Sequence, residues 1–407
     1  MTLKDYKSIV ATAFHSNTRR GFVEWRDCGN LCIDVEEALE NAARELGAEN
    51  RYADLFNLCN WTYVKWGNTD KDDSNGETQD FCACAYDIWE TIYHEGLEFL
   101  SHSAMLTEFF KLLDGRLIDY MEDSVYDFIL KHFKTDDELA KKERFLDNLI
   151  NTLKRRVAEG AGPQYSLPVI EEYYVRVMAD QKRPIQEIRD YMNSKDGYCD
   201  KRFMAQIELE YENYDEAIAL YKSLIAERPE SYWSEEPRKA LMDIYKVLGN
   251  VQAYNAELYD LMRLHPGNKN YYLEYKALFT DEEWKIEWGK LLDEYKDKLR
   301  AINLWLSIEG RYDLIMDNAE PDGDTIIDYY GDELFKLYPE RCMKVLANAA
   351  DKQAQISQNR RDYRRVAKAL RNISSHPGGK ELASQLAEKY RKWFPRRRAM
   401  LDELSEF

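Results

Sequence analysis

The sequence predicts an all-α protein: antiparallel helical hairpins stacked side by side as an α-solenoid, behind an N-terminal helical block. Three observations predict it. Apolar residues recur every three or four positions in nearly every segment, and strand-like alternation is rare. The 407 residues include 29 Tyr, 9 Trp and 15 Phe against only 10 Pro and 18 Gly, the composition of packed helices and not of disorder. A helix–turn–helix unit closed by a proline also recurs, and such a hairpin gains burial only by stacking on a neighbour.

The first block spans residues 1–158. Its opening, "MTLKDYKSIVATAFHSN", has no basic flank, apolar run and small-residue cleavage site of the secretory kind. No run approaches eighteen apolar residues, so no membrane span is expected, and a cytoplasmic location follows. The block holds one polar loop, "WGNTDKDDSNGETQD". With Gly76 at the sixth position of a calcium loop, Lys71 would be first and Cys82 twelfth, so the calcium pattern fails. The loop is expected to join two helices, with Thr78 or Asp80 capping the second. The stretch "VAEGAGPQYSLP" then predicts a boundary: residues 1–158 as one domain, 159–168 as a linker and 169–407 as the repeats.

Within the repeats, "YDEAIALYKSLIAERP" places Ala217, Ile218, Tyr221, Leu224 and Ile225 on one helical face. Asp215 and Glu216 fall in its first turn, where the helix dipole favours acids, and Pro229 follows its end. Aligning Pro229 with Pro266 gives a period of 37, which lays Asn213 on Asn250, Tyr221 on Leu258 and Ile225 on Met262. Turns are expected at Glu212-Asn213 and Gly249-Asn250. The spacing of Tyr214, Ala217 and Tyr221 resembles the tetratricopeptide repeat; the second unit departs from it, with Tyr254 where Ala217 stands. "EGRYDLI" echoes "ENYDEAI", so the array is expected to continue through the later hairpins.

A second resemblance is broader. "NTDKDDSNGETQDFCACAYDIWETI", "VYDFILKHF" and the closing "NRRDYRRVAKALRN…GGKELASQLAEKYRKWFPRRRAMLDEL" resemble the helical portion of bacterial SWIM zinc-finger-associated proteins. That family's zinc finger, which combines Cys-x-Cys and Cys-x-His pairs, has no counterpart here, because no Cys-x-His pair follows Cys82-Ala83-Cys84. The resemblance implies a helical-repeat scaffold, bacterial and intracellular, that acts through partners.

Chemistry-bearing motifs are few. Seven scattered cysteines, at 28, 32, 59, 82, 84, 199 and 342, fit reduced core thiols better than a disulfide frame. Cys82 and Cys84 lack a second pair, so no metal and no cofactor is expected. No phosphate loop, dinucleotide glycine cluster or nucleophile elbow occurs. His94 and His102, eight apart, could share a helix face, but no positioned carboxylate accompanies them. The string "RNISSH" sets Arg371 and Asn372 ahead of His376, and it resembles the signature of HEPN ribonucleases. That resemblance implies a metal-independent RNA cut, His376 as base and Arg371 at the phosphate. Pro377-Gly378-Gly379 ends the helix at once, however, and a basic residue in a last turn is expected on dipole grounds alone.

Charge is segregated. The net charge is −18, yet residues 352–398 carry fourteen Lys and Arg against three acids, a local +11 that leaves −29 elsewhere. Arg360, Arg361, Arg364, Arg365 and Lys368, with Trp393, Arg396, Arg397 and Arg398, are therefore the candidate partner-binding set. These cations either meet an external anion or pair with the acidic body. The expected function is a non-enzymatic scaffold that holds a protein partner, a peptide or a helix, on its concave face. The alternative is an RNA-binding or RNA-cutting protein centred on Arg371, Asn372 and His376.

Overall fold

The computed structural model describes residues 1–115, 117, 120–160, 166–194, 200–322 and 324–407. Among the described residues there are 22 α-helices, and extended pairing is limited to two isolated bridges, Arg19 to Phe22 and Val23 to Lys71. The all-α expectation holds. No described helix is long and apolar enough to cross a membrane.

The chain divides into two compact units, Met1–Leu220 and Tyr221–Phe407. Residue 158 lies inside the first of these units. Helices α7 (Asp136–Ala158) and α8 (Ser166–Asp180) pack on each other, and Ile170 and Val177 join the core of the first unit. Glycine and proline mark a turn here, and the apolar face of α8 carries the chain back onto the same core. Residues 161–165 of the expected linker lie outside the described residues.

In the first unit, α2 (Trp25–Ala48), α3 (Tyr52–Gly67) and α4 (Glu77–Glu95) surround an aromatic core. Trp66 stacks on Phe81 with centroids 4.5 Å apart, and Trp89 meets Phe109 edge-on at 5.1 Å, arrangements the ring quadrupoles favour. The polar loop does join α3 to α4, but neither Thr78 nor Asp80 caps it. Asp73 accepts the Thr78 amide at 2.9 Å from beyond a left-handed Gly76, while the buried Thr78 hydroxyl accepts the Trp66 indole N–H at 3.0 Å. The core claims the threonine, so the aspartate supplies the cap. Further along, α6 (Met121–Lys131) ends on a buried ammonium: Lys142 of α7 donates to the carbonyls of Ile129 and His132, both at 3.1 Å. A cation suits the negative end of a helix, although burial lowers the Lys142 pKa to about 8. His94 and His102 fall on different helices, because α4 stops at Glu95 and α5 (His102–Leu113) begins at His102.

In the second unit the helices run α12 (Glu235–Val247), α13 (Val251–Leu264), α14 (Lys269–Lys276), α15 (Asp281–Glu294), α16 (Asn303–Ile308), α17 (Tyr312–Asp322), α18 (Asp324–Leu337), α19 (Pro339–Ile356), α20 (Arg360–Ser374), α21 (Gly379–Trp393) and α22 (Arg398–Glu403). From α16 onward each packs against the next or next-but-one, as stacked hairpins require. Leu258 and Met262, the residues the repeat alignment sets on Tyr221 and Ile225, are fully buried. Polar ties bind the turns. Arg238, only 8% exposed, donates to Glu257 at 2.6 Å and Asp260 at 2.7 Å across α12 and α13. Glu309 accepts from Tyr272, Lys276 and Trp284 at 2.9, 2.6 and 3.3 Å.

One reversal recurs in both units. Asn50, Lys182, Glu212, Gly249 and Gly310 all have φ between 55° and 68°. The amide after each reaches back five residues: Arg51 to Leu46 (2.8 Å), Arg183 to Met178 (3.2 Å), Asn213 to Glu208 (2.9 Å), Asn250 to Tyr245 (2.8 Å) and Arg311 to Leu306 (2.8 Å). This is the Schellman helix end. The expected turns at Glu212-Asn213 and Gly249-Asn250 are two of the five. At exposed Lys182 a side chain occupies the left-handed region at a steric cost of about 1–2 kcal/mol. Lys182→Gly should therefore raise unfolding free energy by about 1 kcal/mol, net of glycine's greater backbone entropy, in urea titrations.

Acid sensitivity has a local source. Burial pulls the His132 imidazole below its ordinary value and outweighs the hydrogen bond to Glu90 at 2.9 Å. For Glu90, burial acts upward, yet the hydrogen bonds from Lys131 and His132 prevail and its carboxyl lies below the usual range. Both groups bind protons more readily in the unfolded chain, so this stability is complete above about pH 6.5 and is lost as pH falls. The thermal midpoint should drop on acidification from neutral pH, and His132→Gln should flatten the dependence near pH 6.

Candidate anion-binding groove

Helix α20 carries most of the basic stripe, and its three faces meet three environments. Asn359 caps it, its side chain accepting the Asp362 amide at 3.2 Å. At about 100° per residue, Tyr363, Val366, Ala367, Leu370 and Ile373 share one side, and all are buried. A second strip holds Arg360, Arg364 and Arg371, which face the chain's last acids. Arg360 pairs with Glu403 at 2.8 Å, Arg364 with the same carboxylate at 3.6 Å, and Arg371 with Glu406 at 2.6 Å. The third strip holds Arg361, Arg365, Lys368 and Asn372, all exposed. Arg361 and Lys368 make no ion pair among the described residues, and Arg365 has only a long contact to Asp362 at 3.8 Å.

Arg365, Lys368 and Asn372 of this third strip help form one wall of an open groove of about 800 Å³. Arg365, Lys368, Arg371, Asn372 and Ser375 line it from α20 and its end; Ala349, Lys352, Gln353 and Ile356 come from α19, and Asp328 from α18. Lys352, Arg365 and Lys368 thus face one acid, and Arg371 reaches the lining while paired with Glu406. Ile356 is 69% exposed and adds an apolar contact. A groove of this kind can accept carboxylates or phosphates through guanidinium and ammonium donors, with an aliphatic ledge beside them.

The other predicted residues lie elsewhere. Arg397 donates to the Ala354 and Ser357 carbonyls at 3.1 and 2.8 Å and lies 4.0 Å from the Phe394 ring centroid, so it closes the end of α19. Arg396 and Arg398 are exposed outside the groove lining. Trp393 is 45% exposed beneath the Lys389 ammonium, 4.4 Å from its ring centroid. Of Arg371, Asn372 and His376, the first two line the groove and the third does not. Arg371 is held by Glu406, Asn372 faces the groove, and the His376 ring stacks on Phe335 of α18 with centroids 3.8 Å apart. Tyr363 is buried and offers no base-stacking surface.

Sequence reading missed the α18 and α19 wall and the acids that select among the arginines. Lys352 and Ile356 were visible as an i, i+4 pair, but nothing in the sequence set that pair opposite Arg365. Compared with known proteins, the chain matches no family model, and no curated protein matches it either.

The turn beyond Ser374 fixes this geometry. Gly378 has φ of +75°, and a Cβ on Gly379 would overlap the Ile373 carbonyl. Gly379→Ala should cost about 1–3 kcal/mol through forced backbone displacement, while Gly267→Ala, which meets open space, should be close to neutral. Chemical denaturation of the two variants compares them directly.

Proposed function

We propose that the chain is a non-enzymatic helical-repeat scaffold and that the groove of α18, α19 and α20 holds an acidic segment of a protein partner. The observation that carries this reading is the sorting of charge on α20. Arg360, Arg364 and Arg371 are paired with Glu403 and Glu406, whereas Arg365 and Lys368 open onto the groove with Lys352 opposite. A cationic face left unpaired on a chain of net charge −18 favours an anionic partner and hastens its encounter. The partner is read as protein because the groove lining holds no aromatic ring to stack bases and includes the exposed apolar Ile356. Catalysis is not part of the reading: Arg371 is engaged by Glu406 and His376 by Phe335.

The test uses a fluorescently labelled glutamate-rich peptide with one leucine, alongside single-stranded RNA of equal charge. Arg365→Glu combined with Lys368→Glu should weaken peptide binding at least about tenfold, a change of about 1.4 kcal/mol. Arg360→Ala should leave it nearly unchanged, because that side chain faces Glu403. Tighter binding of the RNA, or RNA cleavage abolished by His376→Ala, would overturn the proposal.

A further inference from the structure

Outside the groove, the first unit brings together three side chains of metal-binding type, with Cys28 far in sequence from the neighbouring pair Asp73 and Glu77. Cys28 of α2, Asp73 of the polar loop and Glu77 at the start of α4 each present a ligand atom, and these atoms lie within 4.8 Å of one another. Cys28 is fully buried and Glu77 is 7% exposed. One Glu77 oxygen accepts from Asn75 at 3.0 Å; the other is buried with no hydrogen-bond partner among the described residues. A buried carboxylate oxygen without a donor is costly, and the usual remedies are a proton, a water or a cation.

We propose that Cys28, Asp73 and Glu77 form a binding site for a divalent cation, with Zn²⁺ the best match. The donor set supports the choice of ion. One thiolate and two carboxylate oxygens suit borderline-soft Zn²⁺, whereas an all-oxygen ion such as Ca²⁺ gains little from sulfur. Three protein ligands leave a fourth tetrahedral position for water. On binding, the Cys28 S–H proton leaves to solvent as the sulfur–metal bond forms.

Charge balance points the same way. The Lys71 ammonium acts on both Cys28 and Asp73 while its hydrogen bonds go to the Trp66 and Thr69 carbonyls at 2.9 and 3.4 Å. With a neutral thiol, Lys71 offsets only one of the two carboxylates. A divalent ion together with Lys71 balances a thiolate and both carboxylates. Access is available as well, since Asp73 also lines an open depression of about 560 Å³ between α4 and α6. The fold supplies rigid anchors: Cys28 sits within α2, and Asp73 is fixed by the Thr78 amide at 2.9 Å. Pinning this loop to α2 would tie the α3–α4 connection to the preceding helix.

The experiment adds Co²⁺ and, separately, Zn²⁺ to the full-length reduced protein at neutral pH. One equivalent of Co²⁺ should produce the intense near-ultraviolet absorption of a sulfur-to-cobalt bond, and Zn²⁺ should displace it and raise the thermal midpoint. Glu77→Gln keeps the side chain's shape and should weaken Zn²⁺ at least about tenfold. Cys28→Ser should abolish the absorption, and Cys84→Ser, outside the cluster, should preserve it. Circular dichroism checks that each variant is folded. If Cys28→Ser misfolds, the Glu77→Gln and Cys84→Ser comparison decides alone. No sulfur-to-cobalt band, or a band and a Zn²⁺ affinity untouched by Glu77→Gln, would overturn the assignment.

Discussion

Each short helix in this chain hides one face against its neighbour, and the neighbour can lie there only if the backbone reverses within a few residues. The left-handed helix end at Asn50, Lys182, Glu212, Gly249 and Gly310 performs that reversal, and its five-residue-back hydrogen bond satisfies a carbonyl that the ending helix leaves open. A two-residue turn permits little besides an antiparallel partner. The buried rows on the paired helices follow from it: Tyr221 and Ile225 in one hairpin, Leu258 and Met262 in the next.

Where two hairpins leave different surroundings on either side of one helix, that helix sorts its own charges. Helix α20 is the clearest case. Its buried side fixes its rotation against α19 and α21, which turns Arg360 and Arg364 to Glu403 and Arg365 and Lys368 to the groove, with Arg371 at the edge between them. The paired strip adds little stability, because exposed ion pairs are worth roughly 0–1 kcal/mol. Its effect is on charge: it pairs three exposed arginines with Glu403 and Glu406 and leaves Arg365 and Lys368 without a close acidic partner.

The first unit handles buried polarity differently. Its polar groups are held inside and nearly all are answered: Lys142 by two helix-end carbonyls, Thr78 by the Trp66 indole, Tyr63 by the Met121 carbonyl at 2.8 Å. Against that background the unanswered oxygen of Glu77 stands out, since it lies beside a thiol and a second carboxylate. A unit this careful with donors and acceptors marks its exceptions clearly.

Much of this was legible from residue order. The apolar period determined that the described chain is helical, the 37-residue offset placed the α11 (Tyr214–Glu227) and α13 hairpin ends correctly, and the glycines at 249 and 378 announced their turns. The count of fourteen cations against three acids located the charged region as well. Reversals at Asn50 and Lys182 were hidden because no glycine stands there, and the packing of α8 onto the first core was hidden behind the glycines and prolines that precede it. Period and charge are local properties, set within a few residues. Which arginine meets Glu403, and which carboxylate meets Cys28, depends on helices brought together from tens of residues away, so only tertiary packing decided them.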